Sequence, residues 1–277
     1  GNDQVMFELI CDVIDPDIEI ITTTSDMNFG REDEIYYLKG HGYVAEFVKR
    51  ELSIHKGLGG TSVGGKEALH AELTIPEEAY PSQLKAEGEE TLTLDFEHGE
   101  LSGVNGDKFL KKTDAIRKVE EIGARWAIGR DMHVGDTIIG IKGRVGFEAA
   151  GSLLIINAHK LLEKHTLTKW QQYWKEQLGT WYGMFLHEAQ YLEPVMRDME
   201  AFLQSTQQSV TGRVIIQLKP YHYTLVGIDS EYDLMKSDFG VYGEEQKAWT
   251  ADDVKGFTKI LGNQMKIYYN VNKPKSK

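Results

Sequence analysis

Apolar residues recur at helical spacing in long stretches of this chain and alternate in a few short ones. Asn2–Val13 carries Phe7, Ile10 and Cys11 on one side, with Asn2 or Asp3 available as a cap, and predicts a helix. The β-branched run Ile18–Thr22 predicts a strand, Arg31–Lys39 a helix closed by Gly40, and Tyr43–Val48 a further strand. Helix, strand, helix, strand reads as part of an α/β sheet. Thr91–Glu97 places Leu92, Leu94 and Phe96 on one face of a half-buried strand that turns at His98–Gly99. Thr113–Trp126 is an amphipathic helix through Ile116, Val119, Ile122 and Trp126. After Gly151 a wide stripe (Leu154, Ile155, Ala158, Leu161, Leu162) predicts another. A capping box at Thr168–Gln171 opens a helix expected to stop at Gly179, with a separate helix over Trp181–Tyr191. Pro194 suits the first turn of the next, whose Val195, Met199, Phe202 and Leu203 face a core. Val214–Leu218 and Thr224–Ile228 are strands joined at Lys219–Tyr223, and Thr250–Asp253 starts the last helix, with Val254, Phe257, Ile260 and Leu261 on one face. The tail Asn272–Lys277 is expected to fray.

Between these elements lies Gly129–Gly151, with glycines at 129, 135, 140, 143, 146 and 151 and with Arg130, Lys142, Arg144 and Glu148 among them. A short apolar run (Ile138, Ile139, Ile141) divides it. Two readings stay open on residue types alone: a hairpin with ordinary turn glycines, or backbone that lines a pocket. A second glycine-rich stretch, Ser53–Lys66, contains the phosphate-loop spacing at Gly60–Lys66. Glu67 stands where a hydroxyl would have to reach Mg²⁺, and the preceding VKRELSIHK is not a buried strand. A loop presenting hydroxyls is the better reading.

Composition narrows the classes. The 277 residues suit one large domain or two ordinary ones, and 41% hydrophobic with 10% aromatic residues can build a core. A net charge of −12 without a basic block argues against nucleic acid and anionic membranes as partners. The single cysteine, Cys11, excludes an intrachain disulfide and fits a reducing, cytoplasmic setting. No apolar run reaches the roughly 18 residues of a membrane span. The nine histidines have no metal-ligand spacing, and no nucleophile elbow occurs, so no catalytic nucleophile is expected.

GNDQVMFE at Gly1–Glu8, LSIHKGLGGTSVGGKE at Leu52–Glu67, the 129–151 stretch, and KEQLGTWYGMFLHEAQYLEPVMRDMEAFL, GRVIIQLKPYHYTLVGIDS and GFTKILGNQMKIYY in the C-terminal third resemble, in order, the signatures of argininosuccinate synthases. The resemblance covers essentially the whole chain. It implies a remnant of a parallel-sheet nucleotide-binding α/β domain at 1–48, a mixed α+β synthetase and multimerisation domain at 49–249, and a C-terminal oligomerisation helix and tail at 250–277, assembled as a homotetramer. It implies ATP with Mg²⁺, citrulline and aspartate as ligands. Asn2 and Asp3 match residues that contact aspartate. Asn2, Met6, Ser53, Ser62, Gly135 and Phe147 stand at positions that contact citrulline. The family's Ser-Gly-Gly-x-Asp-Thr-Ser ATP loop does not occur in these residues, so the chain is expected to be a piece of a longer protein and inactive by itself.

Three positions depart from the pattern. Met6 replaces an arginine, Gly135 a glutamate and Phe147 a tyrosine, and each change removes a polar group that would face citrulline. Either Asp131 or Asp136 takes over the pairing with the substrate's α-ammonium, or that amine carries no charge because the substrate is an N-acylcitrulline. In the second case Gly135 would make room for the acyl group and Arg130 or Lys142 would meet an added carboxylate. A non-catalytic assembly module with a decayed ligand site is the alternative from another class.

Overall fold

The computed structural model describes residues 2–43, 53–236 and 248–273. Residues Gly1–Asp233 form one compact unit and Leu234–Lys277 a second. The first opens with α1 (Asn2–Ile14), the short α2 (Thr23–Asp26) and α3 (Arg31–Gly40). The strand expected at Ile18–Thr22 is not formed. A strand needs a partner edge, and the described residues before Ser53 hold helices and turns only; Ile18, Ile20 and Ile21 are accordingly exposed. Most of the strand expected at Tyr43–Val48 lies outside the described residues. The architecture is mixed α and β with two antiparallel sheets, and no parallel pairing occurs among the described residues.

The larger sheet runs β5 (Asp107–Lys108), β4 (Glu100–Val104), β3 (Glu90–Glu97), β8 (Gly212–Lys219), β9 (His222–Asp229). Its alternation is the one read from sequence. Leu92, Leu94 and Phe96 of β3 and Val214, Ile216 and Leu218 of β8 point inward. They pack on Ala115, Val119 and Ile122 of α4 (Lys112–Arg125) and on Leu154, Ala158 and Leu162 of α5 (Ala150–Thr166). Each fully buried Leu, Ile or Val contributes about 1.5–3 kcal/mol, so this sheet–helix layer anchors the unit. The β3–β4 turn has His98 and Gly99 both at positive φ (49° and 81°), the geometry whose twist matches a hairpin.

α6 (Lys169–His187) begins at the expected Thr168 capping box but runs straight through Gly179. A glycine in a helix interior costs only about 1 kcal/mol against alanine, too little to break a helix of this length. α7 (Pro194–Thr206) carries its proline in the first turn. The second unit holds α8 (Ala251–Leu261), capped by Thr250, and a further helix, α9 (Asn263–Val271).

The smaller sheet has the order β1 (Ser53–Gly57), β2 (Gly60–Gly64), β7 (Lys142–Glu148), β6 (Arg130–Asp136). Both glycine-rich stretches are therefore hairpins that pair with each other. Ser53–Gly64 is not a loop, and the run Ile138–Ile141 is the turn of the second hairpin, with Ile139 and Ile141 exposed.

A candidate amino-acid-binding face on the smaller sheet

Strand parity decides what this sheet can bind. Residues directly opposite each other in register point to the same face, and neighbours along a strand point to opposite faces. His55 pairs with Ser62, Ser62 with Phe147, and Phe147 with Asp131, giving one row across four strands. Ser53 lies two residues from His55, while His133 (opposite Val145) and Gly135 (opposite Gly143) follow Asp131 on the same face. The rings of His133 and Phe147 meet edge to face at 5.3 Å, as parity requires. Ser53 Oγ sits 2.8 Å from His55 Nε2. Ser53, Ser62, Gly135 and Phe147, four of the residues singled out in the sequence, thus share one face with His55, Asp131 and His133. Ser53, His55, Asp131, His133 and Gly135 on this face are exposed.

The opposite face is packed at its Arg130–Met132 end and exposed at Val134, Asp136 and Lys142. Val63 and Met132 meet Ala68, Ile75, Ala79 and Tyr80 of the segment that follows β2. Arg144 binds that segment through the carbonyls of His70 and Leu73, both at 2.6 Å. The same face holds Arg130 and Lys142, the two cations expected to meet an added carboxylate, and each is engaged by an acid there. Lys142 pairs with Asp136. Arg130 is sunk to 8% side-chain exposure, with Nε 3.0 Å from Glu148 Oε2 and its two Nη groups on Glu77 and the Ser82 carbonyl. Burial alone would lower the Arg130 pKa, but its bonds to Glu77 and Glu148 hold it above the usual guanidinium value. The Arg130 bond draws the Glu77 carboxyl below its usual range. By register both cations lie on the face opposite Gly135, although Arg130 also borders the cavity at the Phe147 end.

Parity also sorts the two candidate acids. Asp136 belongs to the opposite face, where it pairs with Lys142. Asp131 is on the open one, but four residues from Gly135, about 13 Å along the strand. Gly135 itself has open space: a Cβ placed there would find no atom within 4 Å.

At the Phe147 end the face opens into a cavity of about 590 Å³. Asp131, His133 and Phe147 form one wall, Tyr221–Tyr223 at the β8–β9 turn another, and Ser152, Leu153 and Ile156 of α5 the third. The first turn of α5 is held by Glu120 Oε2, which accepts the Gly151 N–H at 2.6 Å. Burial raises the pKa of that carboxyl despite this bond. The histidines and the β8–β9 tyrosines escaped the sequence reading. The i, i+2 spacing 131-133-135 and 53-55 was the available signal, but it acquires meaning only once the strands are known to pair.

The remaining predicted residues lie apart. Asn2, Asp3 and Met6 are on α1, with Asp3 exposed and Met6 half-buried. The phosphate-loop spacing at Gly60–Lys66 is an antiparallel strand running into a short 3₁₀ turn (Lys66–Leu69), not the strand–loop–helix that cradles a triphosphate.

The chain carrying this mixed α+β unit is similar in sequence to known proteins. The model of the argininosuccinate synthase C-terminal domain fits residues 52–268. The argininosuccinate synthase of Methanocaldococcus jannaschii is 32% identical over 271 residues, covering 97% of this chain and 68% of the relative. Those of Methanococcus maripaludis and Dictyoglomus turgidum are each 31% identical, over 274 and 273 residues, with the same coverages. The class is therefore that of a carbon–nitrogen ligase. The chain belongs to the argininosuccinate synthase family. Among the described residues no helix is long and apolar enough to cross a membrane.

Proposed function

We propose that this chain serves the ATP-dependent ligation of a citrulline to aspartate, and that the open face of the smaller sheet holds the citrulline. In this reaction the ureido oxygen attacks the α-phosphorus of ATP, giving a citrullyl-adenylate and pyrophosphate, and the aspartate amine then displaces AMP. Neither step needs a protein nucleophile; positioning and charge stabilisation carry the rate. The observation that carries the reading is the convergence of Ser53, Ser62, Gly135 and Phe147 on one polar face. In this proposal Asn2 and Asp3 hold aspartate, and residues 1–48, 49–249 and 250–277 act as nucleotide-domain remnant, synthetase domain and oligomerisation arm. The residues named here serve the amino acids; ATP with Mg²⁺ engages other groups, and the 277 residues by themselves are expected to release no pyrophosphate. The exposed apolar side chains of α8 and α9, Val254, Phe257, Ile260 and Ile267 among them, support self-association through these helices, which in this proposal builds a homotetramer.

The substrate we favour is an N-acylcitrulline, such as N-acetyl- or N-succinylcitrulline. A carboxylate that paired with an α-ammonium would contribute about 1.5–3 kcal/mol. Asp136 is on the wrong face for this, and Asp131 is about 13 Å along the strand. An amide in place of the ammonium removes the need for that partner, and the open space at Gly135 admits the acyl group. The test is kcat/KM for free and N-acylated citrullines, followed as pyrophosphate release by the enzyme carrying its ATP-binding region. Preference for free citrulline would discard the acyl reading, and no release with any citrulline would discard the ligase assignment.

A further inference from the structure

We infer that the buried Arg130–Glu148 pair is a positioning device for the substrate face, setting the distance between Phe147 and Asp131 on one wall of the cavity and Tyr221 on the other. The inference rests on the assignment of that face to the citrulline substrate. Arg130 and Glu148 are a register pair at the end of the β6–β7 hairpin. Their chain neighbours Asp131 and Phe147 are also a register pair, pointing the other way into the cavity. Any shift of the first pair is therefore transmitted through one peptide unit on each strand to the second.

The pair is tied on its own side of the sheet to segments distant in sequence. Glu148 Oε1 accepts the Ser82 N–H at 3.2 Å, and Arg130 Nη2 donates to the Ser82 carbonyl, so one residue's backbone is held from both sides. Arg130 Nη1 donates to Glu77, whose carboxylate also accepts the Tyr221 hydroxyl at 3.2 Å. The guanidinium lies over the Tyr80 ring at 4.7 Å and near the Tyr221 ring at 5.8 Å. Tyr221, at φ 61°, donates its N–H to the Trp126 carbonyl at 2.8 Å and leads directly into His222 and Tyr223 of the cavity wall. Glu148, at 2% exposure, is shut off from the cavity, and Arg130, which borders it, has its guanidinium nitrogens committed to Glu148, Glu77 and the Ser82 carbonyl. Three acceptors shared among Nε and the two Nη groups suit a guanidinium fork and not a lysine.

Arg130→Lys tests the device at its centre, and Glu77→Gln and Tyr221→Phe test its exposed arm with little risk to folding. On the intact enzyme, KM for the citrulline substrate and for aspartate, kcat, and the thermal midpoint are measured for each. Glu77→Gln and Tyr221→Phe are expected to raise the citrulline KM roughly threefold to tenfold while the aspartate KM and the midpoint stay near wild type. Arg130→Lys is expected to raise the citrulline KM further. A purely structural role would lower the midpoint and move both KM values together, or neither, and either result overturns the inference. If the wild-type enzyme shows no affinity for any citrulline, the assignment of the face has failed rather than the positioning.

Discussion

Gly60 offers the sharpest test of how the open face of the smaller sheet is packed. It opens β2 at φ 141°, and a Cβ there would lie 2.7 Å from Phe147 Cε1, 2.8 Å from Phe147 Cζ and 2.7 Å from the Ala149 Cβ. Gly60→Ala therefore adds overpacking of about 1–3 kcal/mol to a backbone penalty of about 1–2 kcal/mol. A central value near 3 kcal/mol predicts a midpoint lowered by roughly 6–12 °C for a unit of this size. The two causes separate in a double-mutant cycle. With Phe147→Ala already in place, two of the three close contacts vanish, and Gly60→Ala should cost about 1–2 kcal/mol less than in the wild type. Denaturant unfolding of the four proteins reads this directly. Costs that add within about 0.5 kcal/mol would refute the claim that Gly60 is glycine because the Phe147 ring occupies its side-chain space.

Two further outcomes follow from named contacts. The Glu120 carboxyl has a folded pKa above its ordinary value of 4.5, so between the two values the unfolded chain sheds its proton first and stability falls as pH rises. Glu120→Gln keeps an acceptor for the Gly151 N–H without the buried charge; its midpoint at pH 7 should equal or exceed wild type, with the difference vanishing below about pH 4.5. A lower midpoint at pH 7 would mean that the charge at the start of α5 stabilises instead. Arg144→Ala removes the donors to the His70 and Leu73 carbonyls and should expose residues 65–75 to limited proteolysis, with a loss of about 1.5–3 kcal/mol. Unchanged cleavage in that segment would show that Ile75 and Tyr80 anchor it without the arginine.

Local signals located the elements whose own chemistry suffices. The Thr168 and Thr250 capping boxes, Pro194, and the alternation of Leu92, Leu94 and Phe96 all mark elements present in the structure. The helix at 181–191 was divided from its predecessor because a glycine was given more force than it has. Asn105–Gly106, both at positive φ, join β4 to β5 in the strongest short hairpin signal of the chain, and it went unread. The site was partly legible. Motif resemblance chose Ser53, Ser62, Gly135 and Phe147, which the structure places on one face. The acyl-group reading added Arg130 and Lys142, which are on the other face by register. Residue type says that a cation is present; only register says which way it points, and register depends on the pairing of β2 with β7 across more than 80 residues of chain.

The two-sided character of the smaller sheet constrains how a protein of this kind can change. Asp131, His133 and Gly135 of β6 can be exchanged to suit a different ligand while Arg130, Met132, Arg144 and Glu148 go on holding the unit together, so specificity can drift at little cost in stability. Length is another matter. One inserted or deleted residue in either strand would turn the sheet's lining inside out, presenting Arg130 and Glu148 to the ligand and pressing Asp131 and Phe147 into the packed layer beneath. Novelty here should come by substitution, and strand length should stay fixed.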